Sequence, residues 1–123
     1  MTVVWVFLST GRFGSDGELR DFVEPSYLAD GDTRPSVFAR ETGLADAEPS
    51  CVETVHAGAA IPVRDLLAEA SWADQWITHL DPAEHADSAI CVFPPNRLTS
   101  PHTSSLEFRG AFPFTSAPFT SAP

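Results

Sequence analysis

The stretch Val3-Val-Trp-Val-Phe-Leu8 is apolar at every position, so it lacks the alternation of a strand that has one solvated face. An all-apolar run bounded by turn residues is typical of a strand that is covered on both faces. The later stretch Ser88-Ala-Ile-Cys-Val-Phe93 has nearly the same character and is ended by Pro94-Pro95. The two stretches predict the centre of a sheet, with Trp5 and Cys91 in the core.

A helix is predicted shortly after the first of these strands. Ser15 and Glu18 have the spacing of a capping box, in which each side chain accepts a hydrogen bond from a free backbone amide. Leu19, Phe22 and Val23 then give one apolar face, so Phe22 is expected in the core. Pro25 ends the helix.

Three further helices and a third strand are predicted before residue 88. Ser36 can cap a short helix that ends at Gly43, and residues 51–56 have the composition of a strand with one partly solvated face. Apolar spacing predicts helices over residues 62–70 and 73–80, which place Leu66 and Trp76 in the core.

The predicted order is β-α-α-β-α-α-β, which indicates one α+β domain over residues 1–98. Its sheet has three strands, in which parallel and antiparallel pairs can mix, packed with about four helices. Residues 99–123 are rich in Ser, Thr, Pro and Phe and end in the direct repeat Pro-Phe-Thr-Ser-Ala-Pro-Phe-Thr-Ser-Ala-Pro123. We expect a disordered tail there, with docking of three phenylalanines on the domain as the alternative: Phe108, Phe112 and Phe114.

The chain is strongly acidic. It has 17 acidic residues, seven basic residues and a formal net charge of −10. Binding of nucleic acid needs clustered Lys or Arg, so the charge argues against a direct nucleic-acid partner. It suits a basic protein partner, whose association an acidic field accelerates, and solubility alone is the other explanation. Residues 2–8 are too few to span a bilayer and lack the flanks of a signal peptide, so we expect a cytoplasmic protein without membrane contact.

The sequence contains few groups that suggest catalysis or metal binding. Cys51 or Cys91 could pair with His56, but thiols in strand interiors are usually buried and inert. Asp30-Gly-Asp32 near Glu24 lacks the fuller ligand series of a calcium loop, and a turn held by local hydrogen bonds is expected instead. We therefore predict no enzyme, no cofactor and no metal.

A longer pattern extends across about residues 3–98. Its most specific part is Tyr-x-x-Asp-Gly-Asp-x-x-Pro-Ser-x-Phe, from Tyr27 to Phe38, followed by a strand that carries Glu53. Together with the stretches given last, this pattern resembles the immunity protein 22 family. The other stretches are Val4-Trp-Val-Phe7, Glu18-Leu-Arg-Asp-Phe-Val-Glu24, Gly43, Leu66-Leu67, Ser71 and Ala89-Ile90.

The resemblance implies an α+β antitoxin of a bacterial polymorphic toxin system. Such a protein is small, cytoplasmic and not an enzyme, and it binds and blocks the cognate toxin domain made by the same cell. Many of these toxins are nucleases with basic surfaces, which a carboxylate-rich inhibitor could occupy. The carboxylates of the matching stretches, with one tyrosine, are the implied toxin contacts: Glu24, Tyr27, Asp30, Asp32 and Glu53.

The chain also departs from the family's pattern. Residues 45–50 carry fewer acids, residues 91–95 are not rich in tyrosine, and the tail has no counterpart. Two other functions stay open at this point. One is a small adaptor or regulatory domain whose tail makes the contact, and the other is a small hydrolase or transferase that uses His56 with Cys51 or Cys91.

Overall fold

A computed structural model describes residues 2–45 and 48–115. Short 3-10 turns occur at Pro49–Cys51, Ile77–His79 and Pro101–Thr103. In chain order the helices and strands are β1 (Val3–Ser9), α1 (Asp16–Val23), β2 (Ser26–Tyr27), β3 (Thr33–Arg34), α2 (Val37–Thr42), β4 (Leu44–Ala45), β5 (Val52–Pro62), α3 (Val63–Leu66), α4 (Ala73–Trp76), β6 (His85–Val92), β7 (Arg97–Leu98) and β8 (Glu107–Pro113).

The main sheet of the described residues has four strands in the order β5-β6-β1-β8, and every neighbouring pair is antiparallel. Trp5 of β1 lies opposite Val92 of β6, and Val3 lies opposite Pro113 of β8. The first strand of the chain is therefore an interior strand, and β5 and β8 form the two edges.

Helices cover both faces of this sheet. Val4, Val6 and Leu8 of β1 belong to a buried cluster that includes residues of α3 and α4. Phe7 belongs to a second cluster, on the opposite face, that includes residues of α1 and α2. The all-apolar sequence of β1 is explained by this arrangement, since each of its faces packs on one of the two clusters.

Most of the residues that the sequence predicts for the core are buried in the structure. Phe22, Leu66, Trp76 and Cys91 are buried. Trp5 is half-buried and packs at the margin of the second cluster. The α+β class is confirmed.

The predicted sheet of three strands is wrong in number, because the main sheet has four, and the order of elements differs by four short strands and β8. The fourth strand, β8, lies in the segment that we expected to be a disordered tail. Phe108 packs on the cluster that contains Phe7, with ring centroids 5.0 Å apart, and Phe112 packs on the cluster of the opposite face. A strand thus forms within a polar, proline-rich composition, because its backbone pairs with β1 and its phenylalanines pack on the two clusters.

The folded part of the chain consequently extends beyond residue 98. Phe114 is buried, and its ring stacks on Trp72 at 5.0 Å between centroids. Arg109 of β8 also donates from Nε to the carboxylate of Glu84 at 2.8 Å. The docking alternative describes residues 107–115 better than a tail does, and the end of the repeat, residues 116–123, lies outside the described residues.

Candidate protein-binding surface

A small β-hairpin projects from the chain directly after α1. Its strands β2 and β3 pair Ser26 with Arg34 and Tyr27 with Thr33. The backbone amide of Leu28 donates to the carbonyl of Asp32 at 2.7 Å, so the ladder continues one step into the turn. The hairpin is therefore held by its own backbone hydrogen bonds.

The carboxylate of Asp30 helps to shape the tip of the hairpin. Its Oδ1 accepts a hydrogen bond from the backbone amide of Asp32 at 3.0 Å, and the amide of Gly31 donates to the carbonyl of Leu28 at 3.0 Å. Gly31 has φ +92°, which few other residues adopt. This is the local turn interaction expected from the sequence, and it fixes two aspartates at the tip.

The hairpin exposes apolar as well as charged groups. The Tyr27 side chain is 76% exposed and Leu28 is 40% exposed. Tyrosine is enriched at protein interfaces because its rigid ring offers a large contact area at a low entropic cost. An exposed tyrosine close to two carboxylates therefore has the chemistry of a protein-binding surface. Leu28 was missed by sequence reasoning, although an apolar residue in a polar turn was a usable signal.

A groove adjoins the base of the hairpin. It has a volume of about 380 Å³ and lies between the end of α1 and the start of β5. Glu24 and Glu53, which the sequence places 29 positions apart, both line it. Glu24 lies two residues before the hairpin begins. The predicted contact residues therefore fall into two features, the groove and the hairpin, which meet at Glu24. The remaining lining residues are Arg20, Val23, Pro25, Leu44, Val52 and Thr54.

The carboxylate of Glu53 is engaged within the protein. Its Oε1 accepts from the backbone amide of Ser71 at 3.0 Å, and its Oε2 accepts from the Ser71 hydroxyl. The Ser71 carbonyl in turn accepts from the indole nitrogen of Trp76 at 3.1 Å. Glu53 thereby attaches β5 to the loop between α3 and α4, so its side chain has a structural task beside any contact with a partner.

The structure separates the residues of the conceivable cysteine–histidine pair. His56 lies opposite Ser88 on β6, whereas Cys91 lies opposite Glu53, about 10 Å further along the strand. Since successive side chains of a strand point to opposite faces, His56 and Cys91 are on different faces of the sheet. Cys51 is five residues from His56, about 16 Å in an extended chain.

The Cys91 thiol is also protected from ionisation. Complete burial raises the pKa of the Cys91 thiol well above its usual range, and the nearby charge of Glu53 raises it further. A nucleophilic cysteine needs the opposite shift, toward the thiolate. Cys91 is therefore a core residue and not a nucleophile.

His56 takes part in a polar chain that does not have the order of a catalytic triad. Ser88 donates its hydroxyl proton to Asp87 at 3.0 Å, so Nδ1 of His56, at 2.8 Å, is the donor to the Ser88 oxygen. Asp87 also accepts from the amide of Gly11 at 2.8 Å. In a triad the histidine is the base that takes the serine proton. Here the serine is buried and the chain satisfies polar groups of the sheet.

Residues 2–45 and 48–115 contain no group of three or more His, Cys, Asp or Glu residues arranged to hold a metal ion. They also contain no helix that is long and apolar enough to cross a membrane.

Comparison with known proteins identifies the family. The family model described as Immunity protein 22 matches residues 4–89, from β1 into β6, and so includes the hairpin, the groove and Glu53. No curated protein and no solved structure gives a significant match. Because the family match covers more than half of the sequence, the chain belongs to the Immunity protein 22 family.

Proposed function

We propose that the protein is a cytoplasmic antitoxin that neutralises a cognate bacterial toxin domain by stoichiometric binding. The family match supports an immunity role, and therefore a toxin as the partner. The observation that carries the binding mode is the hairpin, where Tyr27 is 76% exposed close to Asp30 and Asp32.

In this proposal the exposed tyrosine of the hairpin supplies binding energy, and its carboxylates orient the partner. Tyr27 is the anchor, because a tyrosine that becomes fully desolvated in an interface commonly contributes most of the binding energy. Asp30 and Asp32 orient the partner by charge, and Glu24 extends the acidic surface to the groove. Glu53 contributes at the groove's margin and holds β5 in position through Ser71.

The toxin surface that fits this hairpin is basic. A net charge of −10 attracts a positively charged protein and raises the rate of association, an effect that salt weakens. A nuclease has such a surface where it binds the phosphates of its substrate. An acidic hairpin placed there blocks the substrate without any bond-making step.

The test uses the toxin domain encoded by the neighbouring reading frame, purified with the present protein. We expect a one-to-one complex that abolishes toxin activity and that binds more weakly at high salt. Tyr27→Ala should weaken binding by about 30-fold, which corresponds to the roughly 2 kcal/mol of an interface hot spot. Asp30→Asn and Asp32→Asn should mainly slow association, since Asn keeps the hydrogen-bond acceptor of the turn and removes the charge.

Asp65→Asn on α3 is the matched control, because it makes the same chemical change on an exposed residue outside the hairpin and the groove. If Tyr27→Ala and both hairpin asparagine variants bind as tightly as the control, the hairpin is not the contact surface. If toxin and protein form no complex, the antitoxin function itself is wrong.

Loss of the candidate catalytic side chains should leave protection intact. Cys51→Ala and His56→Ala change partly exposed positions and remove the groups that an enzyme would need. A folded variant that still binds the toxin but no longer protects the cell would favour catalysis over binding.

A further inference from the structure

One side of the edge strand β5 has backbone groups that pair with no strand among residues 2–45 and 48–115. The amide of Phe93 donates to the carbonyl of Cys51 at 2.9 Å, so this pair is of the hydrogen-bonded type. In antiparallel pairing, hydrogen-bonded and non-hydrogen-bonded residue pairs alternate along the strands. Glu53 and Val55 therefore direct their backbone groups toward β6, and Val52 and Thr54 direct theirs to the outer edge. Among the described residues no strand pairs with this outer edge.

Two cavities lie on opposite faces of this same segment. The groove next to α1 has a volume of about 380 Å³, and a second cavity of about 180 Å³ lies between β5 and α3. Glu53 and Thr54 line both. The outer edge of β5 thus runs between a cavity on one face of the sheet and a cavity on the other.

We propose that an extended segment of the toxin adds to β5 as a further strand of the sheet, with successive side chains entering the two cavities in turn. This inference rests on the proposed function and specifies how the partner is held. In strand addition the backbone hydrogen bonds supply affinity, and pockets for alternate side chains supply specificity. Successive side chains of a strand point to opposite faces of the sheet, so they reach cavities on opposite faces in turn.

The lining of the cavities indicates which side chains enter them. The groove has apolar walls from Val23 and Leu44, with Glu24 beside them. The second cavity has apolar walls from Leu66 and Leu67, with the exposed Glu69 beside them. Lysine and arginine pack their aliphatic stems on apolar surface and place the charge at the end. Basic residues at successive positions of the toxin segment therefore fit both cavities.

The one cation in the groove does not oppose this assignment. Arg20 lines the groove, but its Nε lies 2.8 Å from the carboxylate of Asp16, one turn earlier in α1. Its charge is thus offset by a carboxylate of the same helix. Glu24 is the carboxylate of the lining that attracts a positive side chain, since that of Glu53 is bonded to Ser71.

The length of the segment is limited by a bulge. The pairing of β5 with β6 shifts between His56 and Ile61, and the intervening residues 57–60 are exposed. Bulges are a common way to stop unwanted pairing at a sheet edge. From Val52 to His56 the strand pairs with β6 in unbroken register, so the added strand is short.

Amide hydrogen exchange of the complete protein, alone and in complex with the purified toxin domain, tests the proposal directly. The backbone amides of Val52 and Thr54 should exchange at least about tenfold more slowly in the complex, because they gain hydrogen bonds. The amides of Glu53 and Val55 are the internal controls, since they are already bonded to β6. A complex that leaves the exchange of Val52 and Thr54 unchanged overturns strand addition, while the antitoxin function stands.

A pair of variants at one position gives a second test. Thr54→Pro removes the outward amide, at an edge position where proline is tolerated, and Thr54→Val removes only the hydroxyl. We expect the proline variant to bind at least about tenfold more weakly than the valine variant, which keeps the outward amide. Equal affinities of two folded variants contradict the proposal. If Thr54→Pro does not fold, the exchange measurement decides alone, and if no complex forms, both proposals fail.

Discussion

Glu53 and Ser71 are joined by two hydrogen bonds, one from the Ser71 amide to Oε1 at 3.0 Å and one from the Ser71 hydroxyl to Oε2. Through them the edge strand β5 holds the loop that positions Trp76. Hydrogen bonds to an ionised carboxylate are stronger than neutral ones. This pair therefore connects the proposed binding edge to the core behind it.

Removal of this carboxylate should lower stability. Glu53→Ala should reduce the free energy of unfolding by about 1.5–3 kcal/mol, the usual range for a hydrogen bond to a charged group, as measured by urea denaturation. Ser71→Ala removes only the hydroxyl and should cost less. The double variant should cost less than the sum of the two single changes, and additive costs would show that the residues are not coupled.

Burial of Cys91 should make stability depend on alkaline pH. The folded protein keeps the thiol proton because the pKa of Cys91 is raised by burial, whereas the unfolded chain loses that proton above about pH 8.5. Above that pH the folded state binds more protons, so the free energy of unfolding falls as pH rises, by about 1.4 kcal/mol per pH unit. Urea titrations between roughly pH 8 and 10 should show this slope in the parent and a smaller one in Cys91→Ala. Identical slopes would assign the effect to another group.

Truncation of the buried Trp76 should be the most costly of these substitutions. The side chain is completely buried in the cluster between the sheet and the helices α3 and α4. Trp76→Ala should reduce the free energy of unfolding by about 3–5 kcal/mol, the usual range for emptying a large aromatic site. Val37→Ala, at a position that is 39% exposed, is the control and should change it by less than about 0.5 kcal/mol.

Removal of β8 should prevent stable folding. A chain that ends at residue 106 loses the strand that pairs with β1 and the buried ring of Phe114, whereas a chain that ends at residue 115 keeps every described residue. We expect cooperative thermal unfolding of the longer chain only, followed by circular dichroism. Equal melting temperatures of both chains would restore the expectation that the segment from residue 99 is a dispensable tail.

Local signals in the sequence predicted local structure well. Ser15 accepts from the amide of Glu18 at 3.1 Å, and Ser36 accepts from the amide of Ala39 at 3.0 Å, as the capping patterns indicate. Gly43 ends α2 with φ +70°, where a Cβ would come within 1.9 Å of the Thr99 hydroxyl oxygen. Each of these features depends on a few neighbouring residues, which a sequence pattern contains.

Features that depend on distant partners were missed. The Ser71 hydroxyl binds Glu53, 18 positions earlier in the chain, and the residue that precedes α4 is Trp72, with φ +55°. The strand β8 forms because β1 presents an unpaired side to it, which no property of residues 107–113 alone specifies. For the site, the sequence indicated the acidic turn at Asp30-Gly-Asp32, while the two strands of the hairpin and the exposed edge of β5 followed only from the structure.

The central position of β1 constrains when the main sheet can be completed during synthesis. Val3 pairs with Pro113, so β1 can be paired along both of its edges only after residue 113 has been synthesised. Contacts between such distant residues make folding slow, and during the delay the apolar side chains of β1 are open to aggregation. A chain that has been synthesised only as far as β6 therefore leaves one edge of β1 without its partner strand.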